Sequence, residues 1–273
     1  MNSFNSTIRR PALLSGLLVA LLAACSSTPT GRNQLVLKSD AALAAEGARQ
    51  FEMIREQMPL VQDRATIDYI ACVSNAIVDV LDPEAKSMYW ELAVIDRPDI
   101  NAFVLPGGKI SVFSGILQVA QNQHQLATVI GHEVAHVTAH HANERASRSM
   151  VTGVGIDIAA ILLGGGYARQ TRAAQQTLQT GAMLGFLNPF SRKQESEADI
   201  IGLKYMAKAG FDPRESVTLW TNMEEKNETQ VPEFMSTHPS GEARIESLVS
   251  HLPAALALYN EAKAEGKNPH CQR

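Results

Sequence analysis

The chain has 273 residues, and 45% of them are hydrophobic, which is enough for one substantial core. The formal net charge is -4 at pH 7, and the basic residues form no cluster along the chain. This charge pattern argues against a nucleic-acid-binding protein, because such proteins need a basic patch to neutralise phosphates.

The first 24 residues have the composition of a targeting segment. Arg9 and Arg10 precede the apolar residues 11–22, and two alanines stand directly before Cys25. This arrangement resembles the bacterial lipoprotein box, which implies cleavage before Cys25 and attachment of acyl chains to that residue. The alternative is an ordinary secretory signal next to an unrelated cysteine.

The residues after this cysteine predict where the mature chain lies. Ser26 and Ser27 follow Cys25 with no Asp at the second position, which resembles an outer-membrane lipoprotein that faces the periplasm. Residues 25–38 are rich in Ser, Thr, Pro and Gly, which predicts a lipidated tether. Residues 39–273 then form the folded domain.

Two further cysteines, Cys72 and Cys271, remain once Cys25 carries lipid. The periplasm is oxidising, so an even pair is consistent with a disulfide that ties the C-terminal tail to an early helix. Two separate thiols are the alternative.

The first half of the domain is predicted to contain two scaffold helices followed by three short strands. The helices cover residues 39–57 and 63–81, and the strands cover residues 90–95, 102–105 and 109–113. The Pro-Gly-Gly turn at 106–108 makes the last two strands a hairpin. A strand at the edge of this sheet could bind an extended peptide, whereas an internal hairpin would only brace the next helix.

Residues 125–148 are predicted to form one helix, because apolar side chains recur there every three or four positions. Residues 131–136 within it read Gly-His-Glu-Val-Ala-His. His132 and His136 lie one turn apart, so both imidazoles can bind one metal ion. Glu133 points to the side, where its carboxylate can take a proton from a water beside the metal. This is the H-E-x-x-H arrangement of zinc peptidases, although a surface helix with two histidines would read the same way.

A segment with two apolar stretches follows the H-E-x-x-H helix. Residues 151–163 and 177–186 are apolar, and Gly164-Gly165-Gly166 interrupt the sequence between them. Thirteen residues are too few to cross a bilayer, which needs about 20. The segment 151–187 is therefore predicted to be a packed helical hairpin, a lid over the site or a loop that touches the membrane.

The next helix, residues 191–209, supplies candidates for a third metal ligand. Glu195 and Asp199 share one face, so one carboxylate can bind zinc while the other holds a ligand histidine through its free ring N–H. The pattern with a third histidine ten residues after the first is not met, because position 142 is Ala. Glu195 is thus the best candidate for the third ligand. His238 lies in a loop before the last helix, residues 242–259, and could also face the metal.

These segments together resemble a family of zinc metallopeptidases of the gluzincin type. The family includes the CAAX prenyl proteases, the mitochondrial Oma-type peptidases and the bacterial β-barrel assembly-enhancing protease. The resemblance begins near Thr30 and rests on the residues 131–136, Glu-Ser-Glu-Ala-Asp at 195–199, Ala-Gly-Phe-Asp-Pro at 209–213, the hairpin 101–115, and His238-Pro239 with Arg244-Ile245.

The resemblance implies a mainly helical α+β fold of the zincin type, with a small β-sheet beside the H-E-x-x-H helix, and one zinc ion per chain. It implies a ligand set of His132, His136 and Glu195, with Glu133 as the general base. Asp199 would be the partner of a ligand histidine, most simply of His132.

The family also provides roles for the two remaining histidines. By resemblance, His238 either stabilises the oxyanion or occupies the open position of the metal, and His141 has a structural role. Both alternatives for His238 stay open at this point.

The predicted function is a zinc-dependent endopeptidase at the periplasmic side of the outer membrane, which degrades misfolded or stalled envelope proteins. Its expected partners are those substrates, the outer membrane through the lipid anchor, and the outer-membrane assembly machinery. The alternative is a lipoprotein chaperone for outer-membrane proteins, with a latent or regulatory zinc site.

Overall fold

A computed structural model describes residues 25–151, 190–227, 233–238 and 242–273. The predicted signal peptide, residues 1–24, lies outside these ranges. The glycine-broken segment predicted as a lid, a hairpin or a membrane contact also lies outside them, apart from Val151 at its start.

The described part of the chain consists of helices around two small sheets. The strands are β1 (Cys25–Ser27), β2 (Asn33–Leu35), β3 (Glu91–Ile95), β4 (Ala102–Leu105) and β5 (Lys109–Phe113), and a 3-10 turn covers Ser114–Gln118. The helices are α1 (Asp40–Gln57), α2 (Arg64–Asp79), α3 (Pro83–Lys86), α4 (Gln123–Thr138), α5 (His141–Val151), α6 (Arg192–Lys208), α7 (Glu215–Asn227), α8 (Glu233–Thr237) and α9 (Glu242–Ala264). The predicted α+β, mainly helical class is confirmed.

The predicted hairpin is present and forms most of the larger sheet. The strand order is β3-β5-β4, with β5 parallel to β3 and antiparallel to β4. Gly107 and Gly108 in the turn have φ angles of 82° and 80°, a left-handed backbone that favours glycine. The strand nearest to α4 in sequence, β5, is central, and β4 lies at the edge of the sheet against α4.

The main core lies between α2, α4, α6, α9 and one face of this sheet. Ile70, Val73 and Ile77 of α2 are fully buried at helical spacing, as the apolar pattern predicted. Ser39 and Asp63 accept hydrogen bonds from the first turns of α1 and α2, so both predicted helix starts are confirmed.

Helices α4 and α6 approach each other closely at two glycines. A Cβ built on Gly202 would lie 2.7 Å from the backbone nitrogen of His132, and one on Gly131 would lie 3.0 Å from the carbonyl oxygen of Gly202. Only residues without a side chain allow this backbone contact. It brings the N-terminal half of α6 beside the H-E-x-x-H turn of α4.

The prediction of a single helix over residues 125–148 is wrong. Helix α4 ends at Thr138, and His140 has a φ angle of 54°, in the left-handed region that cannot continue a right-handed helix. Helix α5 then starts at His141 in a new direction. The break turns the His141 ring back toward α4, where its Nδ1 lies 2.8 Å from Nδ1 of His136.

Residues 25–38, which their composition predicted as a tether, make specific contacts with the domain from Thr28 onward. Strands β1 and β2 flank a turn at Gly31, whose φ is 84°. Thr28 is buried, and the Arg32 guanidinium binds Glu144 of α5. Polar side chains made this segment look unstructured, but they bind buried carboxylates that lie far away in sequence.

The C-terminal tail is tied to an early helix, and Cys72 of α2 and Cys271 form a disulfide. Within the described ranges, no helix combines the length and the apolar character that a membrane crossing requires.

We predict that Gly202→Ala lowers the free energy of unfolding by about 1–3 kcal/mol, as overpacking of a tight core does. Alanine is the better helix former by about 1 kcal/mol, so helix propensity alone would give the opposite sign. Urea denaturation measures the change, with Lys204→Ala on the exposed side of α6 as the control. A Gly202→Ala protein as stable as wild type would show that the two helices can separate without cost.

Candidate active site

The predicted site residues converge in one buried cluster between α4, α6 and α8. Helix α4 supplies His132, Glu133 and His136, and α6 supplies Glu195 from its first turn. His238 follows the last residue of α8. All five side chains are buried, so their polar atoms need partners inside the protein.

Two imidazoles and one carboxylate face a common point. Nε2 of His132 lies 3.0 Å from Nε2 of His136. One oxygen of Glu195 lies 3.5 Å from the first nitrogen, and its other oxygen lies 3.5 Å from the second. Ligand atoms about 2.0–2.1 Å from a tetrahedral zinc ion are about 3.3 Å apart, so this triangle fits zinc.

His238 stands at the fourth corner of this arrangement. Its Nδ1 lies 3.1 Å from Nε2 of His132 and 3.0 Å and 3.1 Å from the two oxygens of Glu195. The ring stacks on Phe234, with 4.5 Å between ring centroids, and is fully buried. Of the two roles that the sequence left open, this placement corresponds to occupation of the open metal position.

Glu133 lies beside the triangle. Its Oε1 is 3.2 Å from Nε2 of His238, and the backbone N–H of Val104 in β4 donates to its carboxylate. Atoms of His132, Glu133, His136 and His238 lie within 4.8 Å of one another, so Glu133 could itself reach a metal. Glu195 is the better third ligand, because its carboxylate faces both imidazoles of α4.

Asp199 holds the far side of His132, as predicted. Its Oδ1 lies 2.9 Å from Nδ1 of His132, so the ring N–H donates to the carboxylate and Nε2 is the nitrogen that faces His136. The Nη2 of Arg244 donates to the same oxygen over 2.7 Å, and its Nη1 lies 3.1 Å from Glu195. The guanidinium also covers the Trp220 ring at 3.6 Å.

The sequence predicted Arg244 only as part of a family motif, and its position in the site was not predicted. Its signal was an arginine in the same short motif as His238. The structure shows that it joins the carboxylates of α6 to α9, so the charge of two buried anions is partly compensated by one buried cation.

The buried carboxylates and rings shift one another's pKa values. Burial lowers the pKa of His132, but its hydrogen bonds with Asp199 and Glu195 outweigh this and raise it to about 9. Burial and the charge on His132 hold the pKa of His136 well below its usual range. Burial raises the pKa of Glu133, which suits a proton acceptor that must also release its proton. Burial also opposes ionisation of Glu195, but His238 and His132 hold its pKa well below the usual range.

The chemistry of this donor set fits catalytic zinc. Two imidazoles with one carboxylate, plus one position for water or substrate, is a known catalytic arrangement, whereas structural sites are closed by four protein ligands. Binding of a metal would displace the proton from His132, so zinc affinity should increase with pH.

We predict that Glu195→Ala lowers the zinc content of the purified protein sharply, because two imidazoles alone cannot complete the site. Elemental analysis of the protein checks this, with Glu225→Ala on the exposed side of α7 as the control. Full zinc occupancy in the Glu195→Ala protein would remove Glu195 from the ligand set.

Comparison with known proteins gives consistent matches. The model of peptidase family M48 matches residues 65–252. The chain is 39% identical over 189 residues to the mitochondrial metalloendopeptidase OMA1 of Schizosaccharomyces pombe. These residues cover 68% of this chain and 53% of that protein. It is 35% identical over 246 residues to the mitochondrial metalloendopeptidase OMA1 of Bos taurus. These residues cover 85% of this chain and 46% of that protein.

A bacterial relative belongs to the same group. The β-barrel assembly-enhancing protease of Escherichia coli is 30% identical over 198 residues, which cover 70% of this chain and 40% of that protein. The chain thus spans about half the length of the curated relatives that it matches. The family match extends over most of the domain and includes α4 and α6, the two helices whose side chains form the buried triangle. The chain therefore belongs to peptidase family M48, as the resemblance of its motifs had indicated.

Proposed function

We propose that this chain is a zinc-dependent endopeptidase that binds one zinc ion through His132, His136 and Glu195. The observation that carries the proposal is the convergence of these three side chains from two separate helices, with 3.0–3.5 Å between their donor atoms. A carboxylate with a raised pKa, Glu133, lies beside them. Membership of a peptidase family supports the same conclusion.

Each side chain of the site would have a distinct task in peptide hydrolysis. Zinc, when bound, would polarise water and the scissile carbonyl. Glu133 would accept a proton from the attacking water and donate it to the leaving amine. Asp199 and Arg244 would keep the His132 ring in the orientation and the tautomer that metal binding needs. Strand β4 lies at an edge of the larger sheet and its Val104 touches Glu133, so β4 would bind the substrate backbone.

The position of His238 supports a latent state of this enzyme. Its Nδ1 stands where water or substrate would bind, and its Nε2 faces Glu133. A substrate could enter only after the His238 ring has moved. The same observation supports the second candidate, a chaperone or assembly factor in which the closed zinc site is regulatory.

The proposed location and substrates rest on the sequence and on the names of relatives. The segment before Cys25 supports a lipoprotein at the periplasmic side of the outer membrane. One relative is called a β-barrel assembly-enhancing protease, which supports misfolded or stalled envelope proteins as substrates and the outer-membrane assembly machinery as a partner. In this setting the enzyme would serve protein quality control.

We predict that Glu133→Gln leaves zinc binding intact and lowers peptide cleavage by about 10²–10⁴-fold, since general acid–base catalysis contributes that much. Zinc analysis and a casein cleavage assay on the same preparation measure both quantities. Retained cleavage by the variant would refute Glu133 as the base, and lost zinc would make it a ligand instead.

We predict that His238→Ala increases casein cleavage relative to wild type, because it vacates the fourth corner of the metal site. The control is His251→Ala, which changes a histidine of α9 that is only partly buried. A loss of cleavage from an active wild type would instead assign His238 to oxyanion stabilisation. If neither wild type nor His238→Ala cleaves casein although both bind zinc, the chaperone function is favoured.

A further inference from the structure

A second chain of hydrogen bonds leads away from the metal site, behind His136. Nδ1 of His136 lies 2.8 Å from Nδ1 of His141, and Nε2 of His141 lies 3.1 Å from Oε2 of Glu197. All three side chains are buried. The His140 break described above, which starts α5 in a new direction, is what places His141 between the other two.

Glu197 is held in turn by the N-terminal loop between β1 and β2. The hydroxyls of Thr28 and Thr30 donate to its Oε1, and Nε of Arg32 donates to its Oε2 over 2.7 Å. The two Nη atoms of Arg32 bind the two oxygens of Glu144, each over 2.8 Å. Five donors from the loop thus hold two carboxylates, and only Glu197 contacts a histidine of the site.

For two neutral imidazoles, these contacts leave one consistent assignment of protons. The Glu197 carboxylate can only accept, so His141 must carry its proton on Nε2 and donate it there. Nδ1 of His141 then has a lone pair and must accept from Nδ1–H of His136. His136 is therefore held in the tautomer whose Nε2 is free, which is the nitrogen that faces His132 and Glu195.

We propose that Glu197 and His141 are positioning residues for His136, and that the loop Thr28–Arg32 fixes Glu197 for this task. Asp199 acts on His132 directly, whereas Glu197 acts on His136 through one intervening ring. The loop begins three residues after the predicted lipidation site, so the segment next to the anchor also supports the metal site. This inference rests on the proposed zinc site.

The test compares two isosteric substitutions, each of which removes the negative charge of a carboxylate that contacts Arg32. In Glu197→Gln, the amide can donate to Nε2 of His141, which moves the His141 proton to Nδ1 and displaces the proton of His136 to its metal-binding nitrogen. We expect zinc affinity, measured by chelator competition on the full chain, to fall roughly 10–100-fold. Glu144→Gln also faces Arg32 but contacts no histidine of the site, so we expect its zinc affinity to stay near that of wild type.

A second readout does not depend on zinc. Nitrogen NMR of the metal-free protein distinguishes the two tautomers of a neutral imidazole. We expect the His136 proton on Nδ1 in wild type and in Glu144→Gln, and on Nε2 in Glu197→Gln. The same tautomer in all three proteins would overturn the proposal even if the zinc affinities differ.

A double-substitution cycle tests whether Glu197 acts through His141. His141→Phe keeps a ring of similar size but removes the acceptor for His136, so it should weaken zinc binding as Glu197→Gln does. In the His141→Phe background, Glu197→Gln should then cause no further loss. Additive losses would mean that Glu197 acts by another route, and the relay would be rejected.

Arg32→Met tests the part assigned to the loop. We expect it to weaken zinc binding in the same direction as Glu197→Gln, by a smaller factor, because the threonine hydroxyls remain. Unchanged zinc affinity in Arg32→Met would overturn the role of the loop. Equal losses of zinc affinity in Glu197→Gln and Glu144→Gln would overturn the role of His141. A wild-type protein that binds no zinc would instead refute the proposed function, and the tautomers would then be judged by NMR alone.

Discussion

The site depends on the backbone contact between α4 and α6 at Gly131 and Gly202. The axes of two packed helices are usually about 8–10 Å apart, because the side chains between them keep the backbones separated. Here a Cβ at Gly202 would lie only 2.7 Å from the backbone of His132, so the axes can come closer. This approach lets the short Glu195 side chain reach two imidazoles on the neighbouring helix, and it places the site in the interior.

Burial explains how the site is organised around its charges. A buried anion is costly unless hydrogen-bonded cations or donors surround it, and α6 buries three carboxylates within five residues. Asp199 and Glu195 share partners, since Arg244 and His132 contact both of them, whereas Glu197 has a separate set. Arg244 and His132 bind Asp199, His238 and the imidazoles of α4 surround Glu195, and the loop with Arg32 binds Glu197. These sets come from both ends of the described domain.

The proposed closure by His238 and the proposed hydrolysis at Glu133 would use the same few ångströms of space. The ring that fills the fourth corner is held by stacking on Phe234 and by Glu195, and both contacts would be lost when it moves. Such a site is protected from idle hydrolysis while closed. In the proposed envelope location, an opening that depends on the substrate would limit the cleavage of other chains.

The sequence by itself determined the helix and strand types, the H-E-x-x-H turn and the identity of Glu195 and Asp199 as site residues. These are local patterns, because helical spacing alone fixes which side chains share a face. The positions of Arg244 and of Arg32 required the tertiary structure, because each meets its carboxylate across more than 40 residues of chain. The break at His140 was also invisible, since no Gly or Pro marks it in the sequence. Local chemistry thus predicted the residues that are proposed to bind the metal, and only long-range packing decided which side chains hold them in place.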